Sequence, residues 1–348
     1  MADTANSPEL REPDSCDPTA VPRRHDGIRR QHGWLTRIGR KTRWLHRPIA
    51  TTGATALTAA LTRVPTVAVG PLASALGHGM FYAVPSKARR KAIHNLGIAF
   101  PDLAGEDEKK KLFKRAYLAQ ARCMMDSFAA VRRPDWIESQ VDGWQEVRAR
   151  IEDVLSQGKG MVLLTGHLGA WEIMSLTLTR YFPMTFVAKR SKNPTLNPVI
   201  EKVRTCRGGK VHYHDEPPRA LLAILRQGGI AGFVGDRAFR GTSVTEIPFF
   251  GRETRMPSAP FALARTSGAP LAFIFFLRHE SGYRVVLSET FSIGREEPRE
   301  TTIREAAQRW VGFLEQQIRA NPENWVPFAG HWKSQREKTK QDAAEADS

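Results

Sequence analysis

The feature that most constrains this chain is a change of rhythm near residue 160. From there on, short apolar runs alternate with longer segments of helical spacing. "GMVLLTG" at 160–166, "MTFVAKR" at 184–190, "KVHYH" at 210–214, "IAGFVGD" at 230–236, "PLAFIFFLR" at 270–278 and "YRVVLSET" at 283–290 have the length and composition of strands. Between them, "EIMSLTLTRYF", "NPVIEKVRTC", "PRALLAILRQ" and "SAPFALARTSG" read as helices, and a helix over 303–321 closes the series. Residues 92–158 read as helical throughout. Strands alternating with helices require a sheet covered on both faces. The expectation is an α/β fold: a mixed, largely parallel sheet flanked by helices.

The N-terminal third obeys a different logic. Residues 1–22 mix Pro, Asp, Glu and Ser without apolar periodicity and read as disordered. They lack the basic start and apolar core of a cleavable signal peptide. Between Arg23 and Pro48 nine Lys or Arg face a single acid, Asp26, so half of the formal net charge of +16 lies in one short block. Such a block favours anionic partners: membrane lipid, nucleic acid or an acidic protein. In "WLTRIGRKTRWLHR", Trp34, Leu35, Ile38, Trp44 and Leu45 alternate with cations, which suits a lipid headgroup layer. The same mixture suits nucleic acid phosphates.

"VPTVAVGPLASALGHGMFYAVP", 64–85, carries no formal charge and has the length of a membrane span. Pro65, Gly70, Pro71, Gly77 and Gly79 interrupt it, so the expectation is a segment dipping into one leaflet or a pair of short helices on the membrane. A single span is the alternative. "SKARRK" follows at 86–91 and puts positive charge on both flanks, which leaves the orientation open.

Cys16, Cys123 and Cys206 are odd in number, far apart and form no metal-type spacing. His212 and His214 share one face of a strand without a further ligand nearby and read as ordinary strand residues. No metal site is expected.

"LLTGHLGAWEIM", 163–174, places His167 and Glu172 where a strand gives way to a helix. The carboxyl ends of strands are where open α/β sheets gather ligands and chemistry. In one straight helix, five positions rotate by about 140° and separate the two side chains. They meet if His167 stays in the turn, Glu172 enters the helix, and Gly166 and Gly169 bend the backbone. A carboxylate on one imidazole nitrogen fixes the tautomer and leaves the other nitrogen as a base. First-turn N–H groups of the helix are suited to an oxyanion. The same spacing also suits a turn histidine and a glutamate that merely complements the helix dipole. There is no G-x-S-x-G elbow, no Walker loop and no G-x-G-x-x-G.

"GHLGAWE" resembles the H-x-x-x-x-D/E motif of glycerolipid-type acyltransferases, and more narrowly the H-F-G-N-W-E form of the bacterial lipid A biosynthesis (lauroyl/myristoyl) acyltransferase family. "AIHNLGIAFPDL" at 92–103 resembles that family's N-L-x-x-A-F-P block. "VAKRSKNPTLNPVIEKVRTCRGGKV" resembles its Y-R-P-x-x-N-P block, and "GFVGDRAFRGTSVTEIPFFG", 232–251, the block that ends in Pro-Phe-Phe-Gly. "ALARTSGAPLAFIFFLR" and the closing "NPENWVPFAGHWKS" match in order and character, so the likeness runs from about residue 60 to 334. Two departures stand out. "WVPFAGHWK" lacks the paired arginines of the family's closing W-x-H-R-R-W/F, and Lys189 and Lys192 sit where Y-R-P is usual.

The resemblance implies a glycerolipid acyltransferase-like domain over 92–334, preceded by a disordered basic leader (1–48) and a membrane-associating segment (49–91), and followed by a charged tail (335–348). It implies an O-acyltransferase at the cytoplasmic face of the inner membrane, with His167 as general base and Glu172 as its partner. The donor is an acyl carrier protein or coenzyme A thioester, and no further cofactor is needed. The acceptor is a hydroxyl of a phosphorylated glycolipid such as a lipid A precursor, with phosphatidylinositol mannoside or a lysophospholipid as the alternatives. Arg190 falls at the family arginine. It and Lys189 are candidates for a substrate phosphate, Arg204 and Arg207 stand second, Asp236 orients an arginine or a sugar hydroxyl, and Gly169 of the turn completes the expected substrate-binding residues. Nucleic acid is not an expected partner on this reading; a non-catalytic basic protein binding membrane or nucleic acid is the rival one.

Overall fold

The computed structural model describes residues 56–103, 105–190, 201, 204–238, 241–327 and 332. The basic leader, the charged tail and most of the expected helix over 197–206 lie outside these.

After a helical stretch at 56–61 come α1 (Thr66–Tyr82), α2 (Ser86–Ala99), α3 (Gly105–Arg132) and α4 (Pro134–Glu138). The α/β part follows as β1 (Val141–Asp142), α5 (Trp144–Ser156), β2 (Met161–Thr165), α6 (Trp171–Tyr181), β3 (Met184–Ala188), β4 (Lys210–Tyr213), α7 (Arg219–Arg226) and β5 (Ile230–Val234). A hairpin, β6 (Val244–Phe249) and β7 (Arg252–Pro257), interrupts it before α8 (Ala259–Ser267), β8 (Leu271–His279), β9 (Gly282–Leu287) and α9 (Arg299–Ala320).

Seven strands form one sheet in the order β1-β9-β8-β2-β5-β3-β4. All neighbours are parallel except β8 and β9, so the sheet is mixed and largely parallel. β2 lies between β8 and β5 and is buried along its whole length. Its side chains alternate between two cores. Val162 and Leu164 join Phe233, Phe273, Phe275 and Trp310 on one face, and Met161 and Leu163 join Ile173, Ile230, Ile274 and Phe276 on the other. This is why "MVLLT" is apolar without alternation: both faces of a central parallel strand are covered.

The β6–β7 hairpin is absent from the strands legible in the sequence. Its two-residue turn is Phe250-Gly251, both with positive φ (50° and 70°), rather than the usual Asn-Gly. Pro248 also lies within β6, which a two-stranded ribbon tolerates because it has free edges. Phe250 is held in this conformation from outside. Its N–H donates to Glu315 Oε1 at 2.5 Å, and its ring packs against Trp325, Trp332 and Phe249.

The uncharged stretch over 64–85 folds as α1, with Pro71 inside it, followed by a sharp bend into α2. Among the described residues no single helix is long and apolar enough to cross a membrane, while α1 and α2 together, bent by 102°, pass that test as a broken pair. Val67, Leu76, Met80 and Tyr82 are exposed on α1, whereas Val69 and Ala73 pack against Met125 and Ala129 of α3.

Candidate active site

His167 lies immediately beyond β2, and Asp236 immediately beyond the adjacent parallel strand β5. The Gly235 N–H donates to the Thr165 carbonyl at 2.7 Å, which ties the two strand ends together. The Trp310 indole N–H of α9 donates to the Gly235 carbonyl at 3.2 Å and holds the same corner from behind. Two residues 69 apart in the chain are thereby brought into contact: His167 Nδ1 lies 2.7 Å from Asp236 Oδ1. A carboxylate only accepts, so the proton sits on Nδ1 and the lone pair on Nε2. Asp236 is 2% exposed and the His167 side chain 22%, so the pair has a buried end and an accessible one. The Trp171 indole meets the imidazole edge to face, with centroids 5.0 Å apart.

The backbone turn is fastened as firmly as the imidazole. Gly169 has φ +69°, and a Cβ there would collide with the Phe276 carbonyl oxygen of β8, so only glycine fits. The Ala170 N–H donates to that same carbonyl at 2.7 Å. From the C-terminal side, Asn324 accepts the Gly169 N–H at 2.9 Å through its main-chain carbonyl, and Val326 N–H donates to the His167 carbonyl at 3.1 Å. Asn324 is itself clamped to β8: its side chain accepts from the Arg278 N–H at 2.6 Å and donates to the Arg278 carbonyl at 2.9 Å. Asn95 in α2 donates to the Pro327 carbonyl at 2.7 Å. Three sequence blocks, around 95, 167 and 325, therefore meet at one turn.

The expected pairing of His167 with Glu172 is not the one found. Glu172 does enter the first turn of α6, but its carboxylate pairs with Arg204, with Oε2 3.1 Å from Nε and Oε1 2.5 Å from Nη2, and accepts from the Trp171 indole at 3.2 Å. A bidentate guanidinium is a strong partner for that carboxylate. The imidazole finds its carboxylate on the neighbouring strand. Asp236, expected to orient an arginine or a sugar, thus sits on the histidine; Arg237 Nε stands 3.9 Å from its other oxygen.

The two arginines near the pair are not alike. Burial works against the Arg204 charge, but Glu172 more than offsets this and raises its pKa. Burial lowers the pKa of Arg237, with Asp236 acting in the opposite sense, and its Nε and Nη2 are buried without a hydrogen-bond partner. Arg207 is not a phosphate ligand in this arrangement. It is buried and donates to the Ala130 and Val131 carbonyls at 3.1 Å each, closing the C-terminal end of α3. Arg190 is exposed at the far edge of the sheet, 2.9 Å from Glu216 and stacked 3.5 Å over the Tyr213 ring. Lys189 beside it is exposed. His212 is buried on β4 with Glu216 at 3.5 Å, and no cluster of metal-ligating side chains occurs among the described residues.

Sequence reasoning missed Asn324 and the role of its segment. The signal was the block "NPENWVPFAGHW", but nothing local ties it to residue 169. The fold and the site together define an α/β protein with a hydrogen-bonded histidine–aspartate pair at the carboxyl edge of a parallel sheet. The chain belongs to the bacterial lipid A biosynthesis acyltransferase family, whose model matches residues 38–334. It is 28% identical over 189 residues to a phosphatidylinositol mannoside acyltransferase of Mycobacterium tuberculosis, covering 52% of this chain and 57% of that one. A Mycolicibacterium smegmatis protein of the same name is 33% identical over 122 residues (34% of this chain, 40% of that one). A lipid A biosynthesis acyltransferase of Haemophilus influenzae is 24% identical over 169 residues (47% and 52%). The matched part spans about half the length of these curated relatives.

Proposed function

We propose that the protein transfers a fatty acyl chain from a thioester to a hydroxyl of a membrane glycolipid. The observation that carries this is the His167–Asp236 pair, with its accessible Nε2, in a chain of this family. Nε2 takes the proton of the acceptor hydroxyl as its oxygen attacks the thioester carbonyl, and Asp236 holds the imidazole and stabilises the imidazolium. Collapse of the tetrahedral intermediate forms the ester C–O bond, breaks the C–S bond and returns the proton to the departing thiolate. Ala170 supplies no capping side chain to α6, which leaves first-turn N–H groups available to the oxyanion. Glu172, tied to Arg204, acts as a positioning residue on the substrate side rather than on the imidazole.

The donor is an acyl carrier protein or coenzyme A thioester, and the acceptor an anionic glycolipid. Two observations support a type: the phosphatidylinositol mannoside enzymes match at higher identity than the lipid A enzyme, and the closing paired arginines are missing. This favours a mannoside-type acceptor over a lipid A precursor. The bent α1–α2 pair, with Val67 85% exposed and Lys87, Arg90 and Lys91 beside it, rests on the cytoplasmic face of the plasma membrane.

Purified protein assayed with an acyl thioester and phosphatidylinositol mannoside or a lipid A precursor tests the reaction, and lipid analysis of a deletion strain names the acceptor. Loss of transfer in His167→Ala is expected; unchanged transfer would overturn the catalytic role. For the membrane, Val67→Glu with Met80→Glu should lower sedimentation with anionic vesicles, and undiminished sedimentation would remove α1 from the contact.

A further inference from the structure

A second polar pocket opens at the same edge of the sheet, between α3, α4 and the β8–β9 turn. It has a volume of about 110 Å³ and is lined by Arg122, Asp126, Trp136, Gln140, Arg278 and Tyr283. That is room for roughly three waters at about 30 Å³ each, or for one tetrahedral oxyanion. Asp126 is already occupied. It accepts from Arg122 Nε at 2.8 and 2.9 Å and from the Tyr283 phenol at 2.6 Å. Burial raises the Tyr283 pKa well above its ordinary value, which keeps the phenol a donor. Arg278 comes no closer than 3.7 Å to that carboxylate, and its guanidinium donates no hydrogen bond to a described residue. Arg122 gives its Nε to Asp126, and its Nη1 lies against Gly70 of α1. Arg278, 23% exposed, therefore faces a pocket whose one buried acid already accepts from Arg122 and Tyr283. Glu280 is the remaining acid, exposed at the rim.

We propose that this pocket is an anion subsite that takes one phosphate group of a substrate on Arg278, with Arg122 beside it in the lining. A planar guanidinium fork matches phosphate oxygens bidentately, and that of Arg278 donates no hydrogen bond to a described residue. The pocket adjoins the catalytic turn through β8. The Ala170 N–H is bonded to the Phe276 carbonyl, and Asn324 holds both the Arg278 backbone and the Gly169 N–H. A phosphate seated on Arg278 is thus registered against His167 by main-chain hydrogen bonds. The phosphate belongs either to the phosphopantetheine arm of the donor or to the acceptor headgroup; this assignment rests on the acyl-transfer reading, whereas anion binding itself does not.

Two measurements on the full-length protein test it. In the first, inorganic phosphate is titrated and followed by phosphorus NMR. Wild type and Arg278→Lys should bind it, and Arg278→Met should bind it about tenfold or more weakly. Equal binding by wild type and Arg278→Met overturns the subsite, whether or not the protein proves to be an acyltransferase. Retention by Arg278→Lys separates lost charge from a damaged fold. In the second, steady-state kinetics compare acyl-phosphopantetheine with acyl-N-acetylcysteamine as donor, and intact with dephosphorylated glycolipid as acceptor. Arg278→Met should raise KM for one phosphate-bearing substrate about ten- to a hundredfold and abolish preference over its phosphate-free counterpart. The substrate whose preference collapses identifies the source. Both preferences surviving intact would overturn the proposal.

Discussion

Asp236 and Asp126 are two carboxylates at one edge of one sheet, each 2% exposed, and they are held in opposite ways. Asp126 is surrounded by permanent donors: Arg122, four positions along its own helix, and the Tyr283 phenol. Asp236 has given an oxygen to an imidazole, whose other nitrogen carries a lone pair, and Arg237 stands off at 3.9 Å. A buried carboxylate needs a partner in either case. Whether that partner can also accept a proton separates a carboxylate that holds a fold together from one that can assist proton transfer.

The largest effect is expected at the histidine–aspartate pair. His167→Ala should lower the rate constant of acyl transfer by three orders of magnitude or more, and Asp236→Asn by on the order of 10⁴ through the wrong tautomer. If Asp236→Asn transferred normally while Glu172→Gln did not, the imidazole would take its carboxylate from Glu172 in the working enzyme. At the other carboxylate the effect should fall on stability. Asp126→Asn leaves Arg122 without its charged partner and should cost about 3 kcal/mol in denaturant unfolding, well beyond the loss in Asp236→Asn.

A smaller effect is expected at the fastening between the two regions. Asn324→Ala removes both side-chain bonds to Arg278 and should cost about 1–3 kcal/mol, with a fall in kcat exceeding any change in KM. A raised KM with kcat unchanged would make Asn324 a binding residue instead. A further effect is confined to alkaline pH. Burial pushes the Cys123 thiol, beside Tyr283, from 9.0 to about 12. Between those values the folded chain keeps a proton that the unfolded chain has lost, so stability falls as pH rises from about 9 to about 12. Thiolate absorbance that stays low until the protein unfolds would agree; a Cys123 thiolate in folded protein at pH 9 would not.

Much of this architecture was legible in residues taken locally. The unalternating run "MVLLT" and its counterparts announce strands covered on both faces, and all six expected strands occur, with ends that coincide or differ by up to three residues. The β6–β7 hairpin was not legible, because its turn places Phe250 at positive φ and only the packing around Trp325, Trp332 and Glu315 holds it there. Glycine at 169 could be read as a bend; that no other residue fits depends on the Phe276 carbonyl of a strand about a hundred residues later.

The sequence alone determined which residue types stand at the carboxyl edge, because strand ends follow from apolar periodicity and the histidine follows directly on one of them. Only the tertiary structure decided which carboxylate the imidazole meets. That choice depends on β5 lying beside β2 and on Arg204 reaching Glu172 first, and both are contacts between segments whose order in the chain says nothing of their distance in space.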